Sequence, residues 1–183
     1  ESRTYFVHLP DSYVRSPMQR YPVLYVLDGT SQSTHTAASA EVMARIGAMP
    51  EAIVIGIPSG DKRNRDYTPA GMRQDSDEAN SPDGEAARFL GFLQRELIPH
   101  VEREFRASDM RVLAGNSRGG LFVVHALTTQ PALFDAWIAN SPALWRDDGE
   151  MVKRLQRFLR DTPDASTRLF LSLGGAENAK MTH

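Results

Sequence analysis

Short apolar runs alternate along this chain with longer stretches whose apolar residues recur at helical spacing. The runs are Tyr5 to Leu9, Val23 to Leu27, Ile53 to Ile57, Val112 to Ala114, Ala136 to Ala139 and Leu169 to Leu173. VLYVL and IVIGI have no polar face, as expected of strands in a parallel sheet covered on both sides. Tyr5, Val7 and Leu9 alternate with Phe6 and His8, the pattern of an outer strand. The spacing predicts helices over Ala37 to Met49, Ala86 to Phe105, about Gly119 to Thr129, and Glu150 to Arg160. In the second, Ala86, Phe89, Leu90, Leu93, Leu97, Val101 and Phe105 share a face. Pro99 predicts a kink there, because it has no N–H and its ring crowds the preceding turn. Strands alternating with helices predict a right-handed βαβ series and one three-layer α/β domain over 1–183, with a mostly parallel central sheet. Pro58 to Gly84 breaks the rhythm. It is a long connection poor in large apolar residues, predicted to border a cleft at the carboxyl ends of the strands and to be mobile.

Composition narrows the function classes. Apolar residues make up 41% and charged residues 24%, as in a globular domain. The net charge of −2 gives no footprint for nucleic acid and no polybasic membrane signal. No run of about 18 apolar residues predicts a membrane span. With Cys at 0, disulfides, thiolate nucleophiles and Cys-ligated metals are excluded together, and the compartment stays open: a soluble chain, cytoplasmic, periplasmic or secreted. There is no HExxH, no His pair at helix-face spacing, no Walker A and no GxGxxG, so neither a metal site nor a nucleotide cofactor is expected. Oligomeric state is not written in these patterns. The chain begins Glu1-Ser2-Arg3 and ends Met181-Thr182-His183. Both ends read as cut, which predicts the central part of a longer protein.

The chemistry-bearing motif is Gly115-Asn116-Ser117-Arg118-Gly119, a G-x-S-x-G. The apolar run Val112-Leu113-Ala114 precedes it and a helical segment follows, the strand–turn–helix context of a nucleophile elbow. Small residues at the flanking positions let a tight turn close and hold the Ser117 hydroxyl above the sheet, at the positive end of a helix. The bland reading is a Gly-rich turn with an idle Ser. A Ser hydroxyl needs a base and an oxyanion hole to act as a nucleophile. In this arrangement one hole N–H belongs to the residue after the nucleophile, Arg118. The loop Asp28-Gly29-Thr30 after VLYVL is placed to offer the Thr30 N–H as the other, and reads equally as an ordinary Asp-Gly turn.

The chain resembles the family of α/β-hydrolases named Putative esterase: the esterase D type, feruloyl esterases, mycolyltransferases and siderophore esterases. The siderophore-esterase-like branch fits best. The matching stretches are RTYFVHLP (Arg3 to Pro10), YPVLYVLDG (Tyr21 to Gly29), RDYTP (Arg65 to Pro69), FLGFLQRELIP (Phe89 to Pro99), LAGNSRGGLF (Leu113 to Phe122), SPALW (Ser141 to Trp145) and LFLSLGGAE (Leu169 to Glu177). They run through nearly the whole chain in the family's order. The resemblance implies an α/β-hydrolase fold, Ser117 as nucleophile, and Thr30 and Arg118 as oxyanion donors. The family often has His where Asn116 stands, a position outside the triad.

The acid is expected after the strand that follows, in the chain order Ser, Asp or Glu, His. Glu177 is the candidate, with Asp147 and Asp148 as rivals. The family carries its His beyond the next strand, so the base is expected past His183. Of the histidines present, His125 reads as core, His8 lies on an outer strand and His100 follows Pro99 on a helix, while His35 is the one in-chain substitute, against a structural role that is the better reading. Trp145 is a candidate for lining an acyl pocket or for packing under its loop. Arg63 and Arg65 are candidates for facing an anionic substrate, or else for a solvated face or an ion pair with Asp66. The resulting expectation is a serine esterase without a cofactor, acting on a small-molecule ester, siderophore types included. The rival expectations are a silent hydrolase-fold binding module and an acyltransferase.

Overall fold

The structure is a computed structural model that describes residues 3–72, 84–162 and 166–175. Its sheet has the order β1-β3-β2-β4-β5-β6. The strands are β1 Phe6–His8, β2 Tyr21–Leu27, β3 Ile53–Ile57, β4 Ala107–Asn116, β5 Ala136–Asn140 and β6 Arg168–Ser172. Among the described residues only β1 runs antiparallel to its neighbour, and every other pairing is parallel. The mixed α/β, mostly parallel architecture read from the sequence is therefore the observed one. All five residues of β3 are buried, as its unbroken apolar run requires.

The helices are α1 Gly29–Arg45, α2 Arg63–Tyr67, α3 Ala86–Phe92, α4 Ile98–Glu104, α5 Arg118–Thr129 and α6 Arg146–Asp161. The chain leaves central β2 toward β3 on one side, then returns to β4 on the other. With right-handed crossovers this reversal puts α1 and α5 on opposite faces of the sheet. α1 packs on β1, β2 and β3, and α5 on β4, β5 and α6. The reversal also opens a crevice at the carboxyl ends of β2 and β4, the place where open α/β sheets bind ligands.

One expectation is corrected and two take a more definite form. α1 begins at Gly29, eight residues before the predicted start at Ala37. Its first turns are rich in Ser and Thr, weak helix formers, and its buried positions are only Gly29 and Ser33. What holds them helical is close contact: a Cβ on Gly29 would stand 2.4 Å from the backbone of Gly56 and Ile57. The kink at Pro99 takes the form of a wide π turn over Leu93–Leu97, joining α3 to α4. Pro99 has no N–H for the ladder, so the register slips by one residue while Leu93, Leu97, Ile98 and Val101 stay buried. The connection from Pro58 is not structureless in its first part. It forms a 3₁₀ turn, Gly60–Lys62, then α2, and ends in fully buried Tyr67. The Tyr67 ring lies 5.5 Å from that of Phe89 and 5.7 Å from that of Phe122. Residues 73–83 of this stretch lie outside the described residues. No helix among the described residues is long and apolar enough to cross a membrane.

His125, on α5, is enclosed at 6% exposure, and neither ring nitrogen has a hydrogen-bond partner among the described residues. Burial, reinforced by the charge of Arg154, pushes its pKa down from 6.5 to about 4. Between those values the unfolded chain binds a proton that the folded chain refuses, so stability falls as pH drops through that window and levels off below it. The penalty is about 3 kcal/mol. His125→Leu is expected to flatten that part of the stability–pH curve in denaturant titrations. An unchanged slope in the variant would assign the acid sensitivity to other groups.

Candidate active site

β4 ends at Asn116 and α5 begins at Arg118, so one residue makes the turn. Ser117 has φ 55 and ψ −116, backbone values that cost a non-glycine residue on the order of 1–3 kcal/mol. The surroundings over-determine it. A Cβ on Gly115 would stand 2.5 Å from the backbone of Gly119, so strand and helix pass too closely for any side chain there. The Ser117 N–H donates to the Asn140 carbonyl at 3.0 Å. The Ser117 carbonyl accepts from Leu121 N–H and Ala143 N–H, both at 3.0 Å. Every backbone polar group of the residue is thus engaged, while its side chain is half-buried and its Oγ bonds no described residue. The G-x-S-x-G stretch forms the strand–turn–helix that the sequence predicted.

Arg118 opens α5, and the first turn of a helix leaves its N–H groups without intrahelical acceptors. Its side chain is buried, with Nη1 donating to Thr68 Oγ1 at 2.9 Å. Across the crevice, Asp28 takes a left-handed conformation, φ 55 and ψ 40, and α1 follows. Thr30 sits exposed in the first turn of α1. Val26 pairs with Ala114, so the turns after β2 and β4 are side by side.

An ion pair joins the two turns. Arg63 Nε and Nη2 donate to the two carboxylate oxygens of Asp28 at 2.8 and 2.9 Å, and Nη2 also reaches the Asn116 carbonyl at 3.4 Å. Ser59 Oγ donates to Asp28 Oδ1 at 2.7 Å. The Asp28 N–H donates to Tyr67 Oη at 3.1 Å, and burial raises the pKa of that hydroxyl, keeping it protonated. The sequence reading offered Arg63 a substrate or Asp66 and missed Asp28; both residues were visible, but nothing in their spacing says that they meet. The Asp28 side chain is 11% exposed, so removing its partner leaves a buried charge uncompensated. Arg63→Gln is expected to lower unfolding stability by about 3 kcal/mol. Adding Asp28→Asn should recover part of that loss in the same urea titration, and a simple sum of the two losses would deny the pairing.

The other sequence candidates are placed as follows. Arg65 donates to Asp66 at 2.8 and 3.0 Å and lies 3.5 Å from Glu85, the ion-pair reading rather than an unengaged guanidinium. Trp145 packs partly buried against the core, its Nε1 buried and without a partner among the described residues. Asp147 and Asp148 stand in left-handed conformation ahead of the helical part of α6. His35 is exposed on α1 and has no bond to Ser117. His8 Nε2 lies 3.3 Å from Ser33 Oγ, and His100 Nε2 lies 2.7 Å from Tyr5 Oη. Glu177 and His183 lie outside the described residues. β6, which leads toward Glu177, runs parallel to β4 and β5 and ends on the same side of the sheet.

Known proteins match this arrangement. The chain is 28% identical to the ferri-bacillibactin esterase BesA of Bacillus subtilis, over 97% of this chain and 66% of that protein. It is 31% identical to a siderophore enterobactin esterase of Emericella nidulans, over 84% of this chain and 57% of that protein. The crystal structure of an IroE-like serine hydrolase from Shewanella oneidensis superposes with a TM-score of 0.81 at 33% identity, covering 93% of this chain and 56% of that one. The chain therefore spans between about half and two thirds of the length of these relatives. The sequence model of the family described as "Putative esterase" matches residues 1–178, a stretch that holds both turns and every strand, and the chain belongs to that family.

Proposed function

We propose that the protein cleaves carboxylic esters through an acyl-enzyme on Ser117, with siderophore-type esters as the substrate class. The observation that carries the reading is Ser117 itself. Its backbone is fixed in a strained turn at the topological switch point, and its Oγ, beside the N-termini of α1 and α5, bonds none of the described residues. Structural glycine turns have no reason to hold a serine in a costly conformation; a reacting hydroxyl does.

In the proposed reaction Ser117 Oγ attacks the ester carbonyl carbon and its proton passes to an imidazole from outside the described residues. Glu177 fixes the tautomer of that imidazole and stabilises its charged form. The carbonyl oxygen becomes an oxyanion, met by the N–H groups of Thr30 and Arg118 and by the positive ends of the two helices. The intermediate collapses, the alcohol leaves with the proton, and water repeats the sequence to free Ser117. Trp145 lines the acyl side of the cleft, and Arg65, through its pair with Asp66, shapes the rim rather than meeting the substrate directly. The substrate class draws support from the relatives named as siderophore esterases.

The test is hydrolysis by the intact natural chain of a catecholate trilactone and of a short-chain aryl ester. The reading expects both to be cleaved, the trilactone with the higher kcat/KM, and the rate to rise through the pKa of a histidine near 6.5 as pH increases. Cleavage of the aryl ester alone would remove the substrate class and leave the chemistry. Cleavage of neither would remove the reading.

A further inference from the structure

We infer that Ser172, at the end of β6, is a positioning residue for Ser117 and acts through Asn140; the inference rests on the esterase reading above. A chain of hydrogen bonds connects them through a single peptide group. The peptide joining Asn140 to Ser141 offers its carbonyl to the Ser117 N–H at 3.0 Å and its N–H to the Ser172 carbonyl at 2.8 Å. Hydrogen bonds strung through one peptide polarise each other, and the tilt of that plane sets the direction from which the Ser117 N–H is held.

Backbone rungs of this kind end any parallel ladder. What this sequence adds is a second grip on the same unit. Ser172 Oγ donates to Asn140 Oδ1 at 2.9 Å, so Ser172 holds Asn140 by its side chain and Ser141 by its backbone. The grip falls where the chain is strained: Ser141 has φ 40, a left-handed value for a non-glycine residue. Two residues later, the Ala143 N–H closes on the Ser117 carbonyl, and Pro142 backs onto Gly120, where a Cβ would stand 2.8 Å away. The segment from Asn140 to Ala143 thus wraps the Ser117 turn, and Ser172 is its outer fastening. Ser117 must point its Oγ at a carbonyl carbon within a fraction of an ångström, and loosening the fastening widens the range of directions it samples.

The experiment compares Ser172→Ala, Ser172→Thr, Asn140→Ala and the Ser172→Ala/Asn140→Ala double variant in the intact chain. It reads kcat, KM, thermal midpoint and the rate of covalent phosphonylation of Ser117 by a fluorophosphonate. Losing the one shared bond is expected to lower kcat and the phosphonylation rate about 5- to 10-fold in each Ala variant, with KM unchanged. The double variant is expected to be no slower than the single ones, because the same bond is lost, and Ser172→Thr, which keeps a hydroxyl on a strand-favouring residue, to recover the rate. Unchanged kcat and phosphonylation in Ser172→Ala would overturn the inference. So would a loss that follows the fall in thermal midpoint and is shared by Ser172→Thr, since that marks a purely structural bond. A wild-type protein that neither hydrolyses esters nor takes up the fluorophosphonate overturns the esterase reading itself, and the inference with it.

Discussion

Ser117→Ala is expected to lower kcat/KM for ester hydrolysis by at least about 1,000-fold, since the remaining site keeps only binding and oxyanion stabilisation. The fold should survive, because the Oγ has no bond among the described residues to lose. A companion variant separates chemistry from conformation. At φ 55 and ψ −116 alanine keeps the backbone strain of serine, whereas glycine is free of it. Ser117→Gly is therefore expected to be as inactive as Ser117→Ala but more stable than it by about 1 kcal/mol, with the greater chain entropy of unfolded glycine offsetting part of the relief. Chemical denaturation and steady-state assays of the two variants read both effects. A Ser117→Ala protein that keeps a tenth of wild-type activity would show that the hydroxyl is not the nucleophile.

A large loss of stability is expected from any side chain at Gly29. Its Cα meets β3 so closely that a Cβ would stand 2.4 Å from the Gly56 carbonyl carbon and the Ile57 nitrogen. Both neighbours are backbone in a fully buried strand, so no side chain can swing aside. α1 has to lift from the sheet, and overpacking of this kind costs about 3 kcal/mol. The same shift moves Thr30, which opens α1 next to Gly29, so activity should fall along with stability in Gly29→Ala. Gly175→Ala is the control: nothing among the described residues lies within 4 Å of its Cβ position, and its denaturation midpoint should match the parent. Equal midpoints for the two variants would contradict the close crossing of α1 and β3.

These two sites show what the sequence could reveal and what it could not. VLYVL and IVIGI are legible as buried parallel strands because hydrophobic patterning answers to burial, and the sheet supplies burial on both faces. The turn at Ser117 is legible because its glycines answer to crowding, which recurs wherever a strand must fold straight into a helix. The start of α1 was not legible. Gly29 to Thr36 carries little apolar pattern, and its helical state comes from contact with Gly56, a residue far along the chain. The Asp28–Arg63 pair was hidden for the same reason: each charge is ordinary in sequence, and only the sheet order sets β2 beside β4 and brings Asn116 and α2 around Asp28. Tyr67 likewise reads as one aromatic in a polar stretch, yet its ring is walled by Phe89 and Phe122 from two other helices.

The measurement that bears most directly on the central claim is peptide mapping of the intact protein after reaction with a fluorophosphonate, by mass spectrometry. The account predicts one adduct per chain, on the peptide that carries Ser117, formed faster as pH rises through the range where a histidine loses its proton. Loss of the adduct in Ser117→Ala would complete the result. An adduct on any other serine, or ester hydrolysis that continues with Ser117 unmodified, would contradict it.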